Sequence, residues 1–184
     1  MKKTIITVIG YDQPGIIAAV SEILFAEKCN IENISQTILQ SQFAGIFIVL
    51  IPETLSAEKL ELIFISSFPE GNINIQVKPL DAEKIIPVSQ EAEEFILTTT
   101  GPDNQGLVAG ISKEIAVFGV NITNLKAVFH GGDDPDENIM IYEIDIPVSV
   151  DFQKFSKTLK EKAEAMSLDL TIQHKNIFDM VNRI

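Results

Sequence analysis

The sequence has one cysteine, no tryptophan, two histidines, and only 14 lysines and arginines against 26 aspartates and glutamates. Each shortage closes a class of function. A single cysteine, Cys29, excludes an internal disulfide framework and any paired-cysteine motif. Placed at the end of an apolar helical pattern, it reads as a small packed residue rather than a nucleophile. The net charge of −12 repels a polyanion over most of the surface, so no direct contact with nucleic acid is expected. No apolar run reaches the roughly 18 residues of a membrane span, so no membrane association is expected either. The opening MKKTIITVIG carries two lysines before an apolar run, as a signal peptide does, but the run stops at Gly10 and no small-residue cleavage pattern follows. It reads as a strand of a cytoplasmic protein. HExxH, GxSxG, CxxC and Walker sequences are all missing, and the paired acids Glu93 and Glu94 fall in a connector. Neither an enzyme nor a cofactor is expected.

What is present is a chain of 184 residues, 46% hydrophobic, enough for one core or two small ones. Its organising feature is a repeat. Displaced by 91 residues, PDNQGLVAGISKEIAVFGVNITNL falls on YDQPGIIAAVSEILFAEKCNIENI without a gap. Identities include Ile5/Ile96, Thr7/Thr98, Gly10/Gly101, Asp12/Asp103, Gly15/Gly106, Ser21/Ser112, Asn30/Asn121 and Asn33/Asn124. Such a match indicates internal duplication. It divides the chain into a first module at 1–80, an acidic, proline-containing linker at 81–92 and a second module at 93–184.

Each module repeats one pattern. Thr4 to Ile9 reads as a buried strand, and Gly15 to Lys28 has apolar residues at helical spacing. Ile31 to Gln40 and Phe43 to Ile51 read as two strands, Ser56 to Phe68 as a helix, and INIQVKPL as a fourth strand. The counterparts are Phe95 to Thr100, Gly106 to Phe118, Val120 to Phe129, Asn138 to Ile146, Asp151 to Met166 and Leu168 to His174. The order βαββαβ closes as a split βαβ with both helices on one face of an antiparallel sheet, because crossovers are right-handed. The expected class is α+β, two ferredoxin-like modules in tandem. The uncovered sheet face and the edge strands call for pairing between modules or between chains.

Repeated polar residues and glycines carry the functional signal. Asp12 and Asp103 stand where a strand turns into a helix; each either caps the helix or meets a ligand. Gly15 and Gly106 either allow close helix–sheet packing or open the first-turn N–H groups to a small anion. Pro14, replaced by Gln105 in the second copy, suits a first helical turn without being required. Asn30 and Asn121 lie at the turn into the second strand, where asparagine tolerates a left-handed backbone. The two turns fall at opposite ends of one helix, so a pocket joining them needs a neighbouring copy.

DQPGIIAAVSEILFAEKCNIENI and DNQGLVAGISKEIAVFGVNITNL resemble the ACT domain signature, an Asp-x-x-Gly turn opening an apolar helix that ends at a Gly-Val-Asn-Ile-like turn. The tandem layout, the length and the ending HKNIFDMVNRI resemble the glycine cleavage system transcriptional repressor family. The resemblance implies modules that associate side by side and bind an amino acid, glycine or serine, between them. It implies a homodimer that acts on a regulatory protein partner. Carried over, the ligand-binding residues are Asp12, Gln13, Pro14, Gly15, Asn30 and Asn33, and Asp103, Asn104, Gln105, Gly106, Asn121 and Asn124. Helix-start amides would take the carboxylate, the aspartate the ammonium, and the asparagines either partner. The first copy departs from the signature at Lys28 and Cys29, where the second keeps Gly119 and Val120, so the departure puts the first copy's turn geometry in question. A detached regulatory subunit of a metabolic enzyme and a purely structural dimerisation module are the alternatives.

Two further stretches stand outside this pattern. His130, Asp133, Asp134, Asp136 and Glu137 could offer oxygen ligands, but they lack the spacing of a calcium loop and read as a solvated hairpin loop, so no metal is expected. IFDMVNRI, residues 177–184, reads as a short docked helix.

Overall fold

The computed structural model describes residues 1–68, 72–80, 91–129 and 138–177. Residues 130–137, read as an acidic loop, most of the linker, and all but the first residue of the segment 177–184 read as a docked helix lie outside the described residues. The chain forms two compact units, Met1–Pro87 and Val88–Ile184. The first contains β1 (Lys2–Tyr11), α1 (Ile16–Ala26), β2 (Asn30–Leu39), β3 (Gln42–Ile51), α2 (Ala57–Ser67) and β4 (Ile73–Pro79). The second contains β5 (Ala92–Gly101), α3 (Leu107–Val117), β6 (Asn121–Phe129), β7 (Asn138–Pro147), α4 (Phe152–Glu164) and β8 (Asp169–His174). The sheets have the equivalent orders β2-β3-β1-β4 and β6-β7-β5-β8, antiparallel throughout. These are two ferredoxin-like βαββαβ folds, as the repeat predicts.

Alternation explains which face is covered. In β1, Thr4, Ile6, Val8 and Gly10 are buried, and Ile6 and Val8 share one core with Ile16, Val20 and Leu24 of α1 and Leu60 and Phe64 of α2. The second core repeats this with Leu97, Tyr142 and Ile144 against Ile111, Ile115, Phe155 and Leu159. Side chains one residue out of phase face away from the helices. On that face of the first unit, Ile9 and Ile46 are exposed. Gly10 is fixed by close approach, because a Cβ there would strike the backbone oxygen of Asn72.

The strands β2 and β6 carry the same irregularity. Pairing with β3 jumps between Ile31 and Asn33, and pairing with β7 jumps between Ile122 and Asn124. A bulge at Glu32 and at Thr123 re-aims the residues that follow, which turns Asn33 towards Ile48 and Asn124 towards Glu143.

Candidate functional site

Helices of one unit begin in two different ways. Ser56 caps α2 by accepting from the Lys59 amide (3.2 Å), and Asp151 caps α4 by accepting from Gln153 and Lys154 (3.0 and 3.1 Å). The caps of α1 and α3 are Gly15 and Gly106, in left-handed conformation at φ 99° and 88°, and no side chain caps either helix. The amides that close the first turns are Ala19, donating to Gly15 (2.9 Å), and Gly110, donating to Gly106 (2.8 Å). Amides ahead of these are the unsatisfied donors of a helix start, where an anion is favoured.

The structure decides two readings left open by the sequence. Capping by Asp12 and Asp103 does not occur, since the chain enters each helix through a glycine. Close packing does not explain Gly15 or Gly106, because a Cβ at either would meet nothing within 4 Å. Glycine stands there for its positive φ, which costs other residues strain.

Asp12, Gln13, Pro14 and Gly15 are exposed together in the β1–α1 turn, and Asp103, Asn104, Gln105 and Gly106 in the β5–α3 turn. The Asp12 amide donates to the Ser41 carbonyl (2.8 Å), tying its turn to the β2–β3 hairpin. Asp103, Asn104 and Gly106, with Leu107, Val108 and Ala109, line a hollow of about 480 Å³ at the start of α3. Asn30, Asn33, Asn121 and Asn124 are also exposed. They lie past the far ends of α1 and α3, each of 11 residues and hence about 16 Å long. One unit therefore does not bring the two sets together.

The asparagines also differ between copies. Asn124 Nδ2 donates to Glu143 Oε1 (2.8 Å), and Lys175 pairs with Glu94 (2.8 Å) and Glu143 (3.4 Å). These four residues share the lining of a cavity of about 310 Å³ with Asp145. The Asn124 hydrogen bond, followed by Lys175, holds the Glu143 carboxyl below its ordinary range. Asn33 instead stands opposite Ile48, and Lys3 pairs with Glu32 (2.7 Å) beside it.

Three buried polar residues were not foreseen. Thr99 and Asn138 are buried in the second unit with the Thr99 hydroxyl and both Asn138 amide atoms lacking a hydrogen-bond partner. Tyr142 is buried too, its hydroxyl bonded to Met140 Sδ (3.5 Å), and burial pushes its pKa up to about 12. Thr99 was visible at the 91-residue displacement, as the partner of Val8. Asn138 and Tyr142 follow loops of unequal length, so their counterparts, Phe43 and Phe47, emerge only from strand register.

Repeated βαββαβ units with a left-handed glycine turn ahead of an uncapped helix define a tandem of ACT-type modules. The ACT domain family profile matches residues 2–63. A UPF0237 protein of Methanococcus maripaludis is 41% identical over 92 residues, covering half of this chain and 99% of that protein. One from Methanopyrus kandleri is 45% identical over 53 residues, covering 29% of this chain and 59% of that protein. The chain thus belongs to the UPF0237 family of ACT domain proteins. Among solved structures, an unknown protein from Galdieria sulphuraria superposes with a TM-score of 0.76 at 21% identity, covering 94% of this chain and 98% of that one. A protein provisionally described as a glycine cleavage system transcriptional repressor superposes at 0.69 with 13% identity, covering 94% and 96%. At these identities the likeness is one of fold.

Proposed function

We propose that this protein is a non-catalytic regulator that binds a small amino acid at the turns opening α1 and α3 and passes the bound state to a protein partner. The observation that carries this is the contrast between helix starts: Ser56 and Asp151 cap α2 and α4, whereas glycine leaves α1 and α3 uncapped. Those amides suit a carboxylate, and Asp12 or Asp103 in the same turn suits an ammonium. Glycine or serine is the ligand this chemistry and the resemblance favour. On this reading the protein works in the cytoplasm as a homodimer, and regulates transcription of amino acid metabolism through protein contacts rather than by holding DNA. The exposed Ile9 and Ile46 on the uncovered sheet face support self-association. The asparagine set of a module in one chain would complete the turn of a module in a second chain, and ligand bridging the two chains would favour one arrangement of the dimer.

A thermal-shift panel of amino acids tests this. A ligand at 100 times its dissociation constant raises Tm by roughly 5–10 °C for a chain of this size. The reading fails if no amino acid shifts the melting temperature.

A further inference from the structure

The two copies differ in polarity at three positions that are buried in both. On the helix-covered face of the first sheet stand Val8, Phe43 and Phe47; at the equivalent register positions of the second stand Thr99, Asn138 and Tyr142. The first set joins an apolar core in which the Phe43 ring lies over Gly45, 3.0 Å from where a Cβ would be. In the second set the Thr99 hydroxyl and both Asn138 amide atoms are unpartnered. Buried polar groups are rarely left so, because losing water without gaining a partner is costly. The two positions are also adjacent: Thr99 pairs with Met140 and Asn138 with Gly101 on neighbouring strands. Diagonal neighbours of this kind are about 7–8 Å apart along the backbone, which puts both side chains within reach of one small polar group.

We infer that the second unit contains an internal polar subsite, formed by Thr99 and Asn138, that takes the hydroxyl or carboxamide side chain of a small amino acid. This rests on the amino-acid-binding reading above and adds to it which copy is selective and for what. Chemistry sets the class. The Asn138 amide needs both an acceptor and a donor opposite it and the Thr99 hydroxyl needs either, which a hydroxyl or carboxamide supplies and a methyl group does not. Location sets the connection. Asn138 lies opposite Gly101, where β5 ends and runs into the turn of Asp103 and Gly106, whose hollow would hold the ligand's main-chain groups. In the first unit, phenylalanine and valine fill the equivalent place with apolar volume.

Calorimetric titration of the full chain with serine, threonine, asparagine and glutamine, against glycine, alanine and valine, tests the subsite. At least one of the first four should bind at least tenfold tighter than alanine. The near-isosteric Thr99→Val should weaken that ligand about tenfold, the scale of one lost hydrogen bond, and leave alanine unchanged. Asn138→Leu, checked for folding by circular dichroism, should do the same. The subsite is overturned if alanine and the polar amino acids bind equally. It is equally overturned if both variants keep full affinity for the polar ligand, the result expected of two core groups that hold only a water. If none of the seven binds the unmodified chain, the subsite is overturned, and the amino-acid-binding reading fails with it if the thermal-shift panel is also silent.

Discussion

Lys28 and Gly119 end the first helix of their respective units in the same left-handed conformation, at φ 58° and 70°. The surrounding bonds match as well. The Lys28 and Cys29 amides donate to Phe25 and Leu24 (3.0 and 2.8 Å), and the Gly119 and Val120 amides donate to Ala116 and Ile115 (2.9 and 3.4 Å). Both are Schellman endings, so the first copy keeps the turn geometry that its lysine had put in question.

Opposite effects of substitution follow from this match. Lys28→Gly should stabilise the first unit by up to about 1 kcal/mol by removing left-handed strain, and Gly119→Ala should destabilise the second by about 1 kcal/mol. Urea denaturation of the two variants measures both. Shifts in the same direction would contradict a shared strained turn.

Gly10 and Gly15 should respond unequally to alanine. At Gly15 the added methyl meets open space, so the loss is confined to conformational strain of about 1–2 kcal/mol. At Gly10 the methyl meets the backbone at Asn72 and Ile73, and a backbone cannot swing aside as a side chain can. Gly10→Ala should therefore lower the denaturation midpoint more than Gly15→Ala. Equal losses would argue against the packing assigned to the β1–β4 contact.

Tyr142 gives the second unit an alkaline limit. Its folded pKa, pushed up to about 12, exceeds the unfolded value of about 10, so the unfolded chain releases its proton first. The associated stability is whole below pH 10 and is lost as pH rises towards 12. Tyr142→Phe should flatten that fall. Phenolate absorbance in a Tyr11→Phe background follows the ionisation directly, and an ordinary tyrosine titration there would refute the burial argument.

Glu143 acts in the opposite direction. Its folded pKa is lowered, first by the Asn124 hydrogen bond and then by Lys175. Its stabilising contribution is therefore present above the ordinary carboxylate range and lost as pH falls through the folded value. Asn124→Ala should move the Glu143 titration, followed by carboxyl-carbon NMR, back towards the ordinary value. An unchanged titration would show that the hydrogen bond is not what holds the proton off.

Legibility in the sequence varied with the kind of information each feature used. Strands such as Thr4 to Ile9 and the helix carrying Phe155 and Leu159 were readable because alternation and helical spacing are local, and the repeat supplied each pattern twice. The turn residues were readable as a set, but their physical reason was not: Asp12 resembled a cap because aspartate often is one, while the positive φ of Gly15 has no signature apart from glycine itself. Asn124 could be named from the repeat, whereas its partner Glu143 stands across a strand pair in a register that depends on a bulge. Thr99 in an apolar run looked like ordinary strand sequence. Its meaning depends on Asn138, 39 positions away.

The hydrogen bond from Asp12 to Ser41 makes two loops of the first unit one lever. The arm that opens α1 holds residues proposed to meet a ligand, and the other arm is the tip of the hairpin joining β2 and β3. Displacing either strains the same bond, so faster deuterium uptake at the Asp12 amide would register a displacement at the helix start or at the hairpin tip alike.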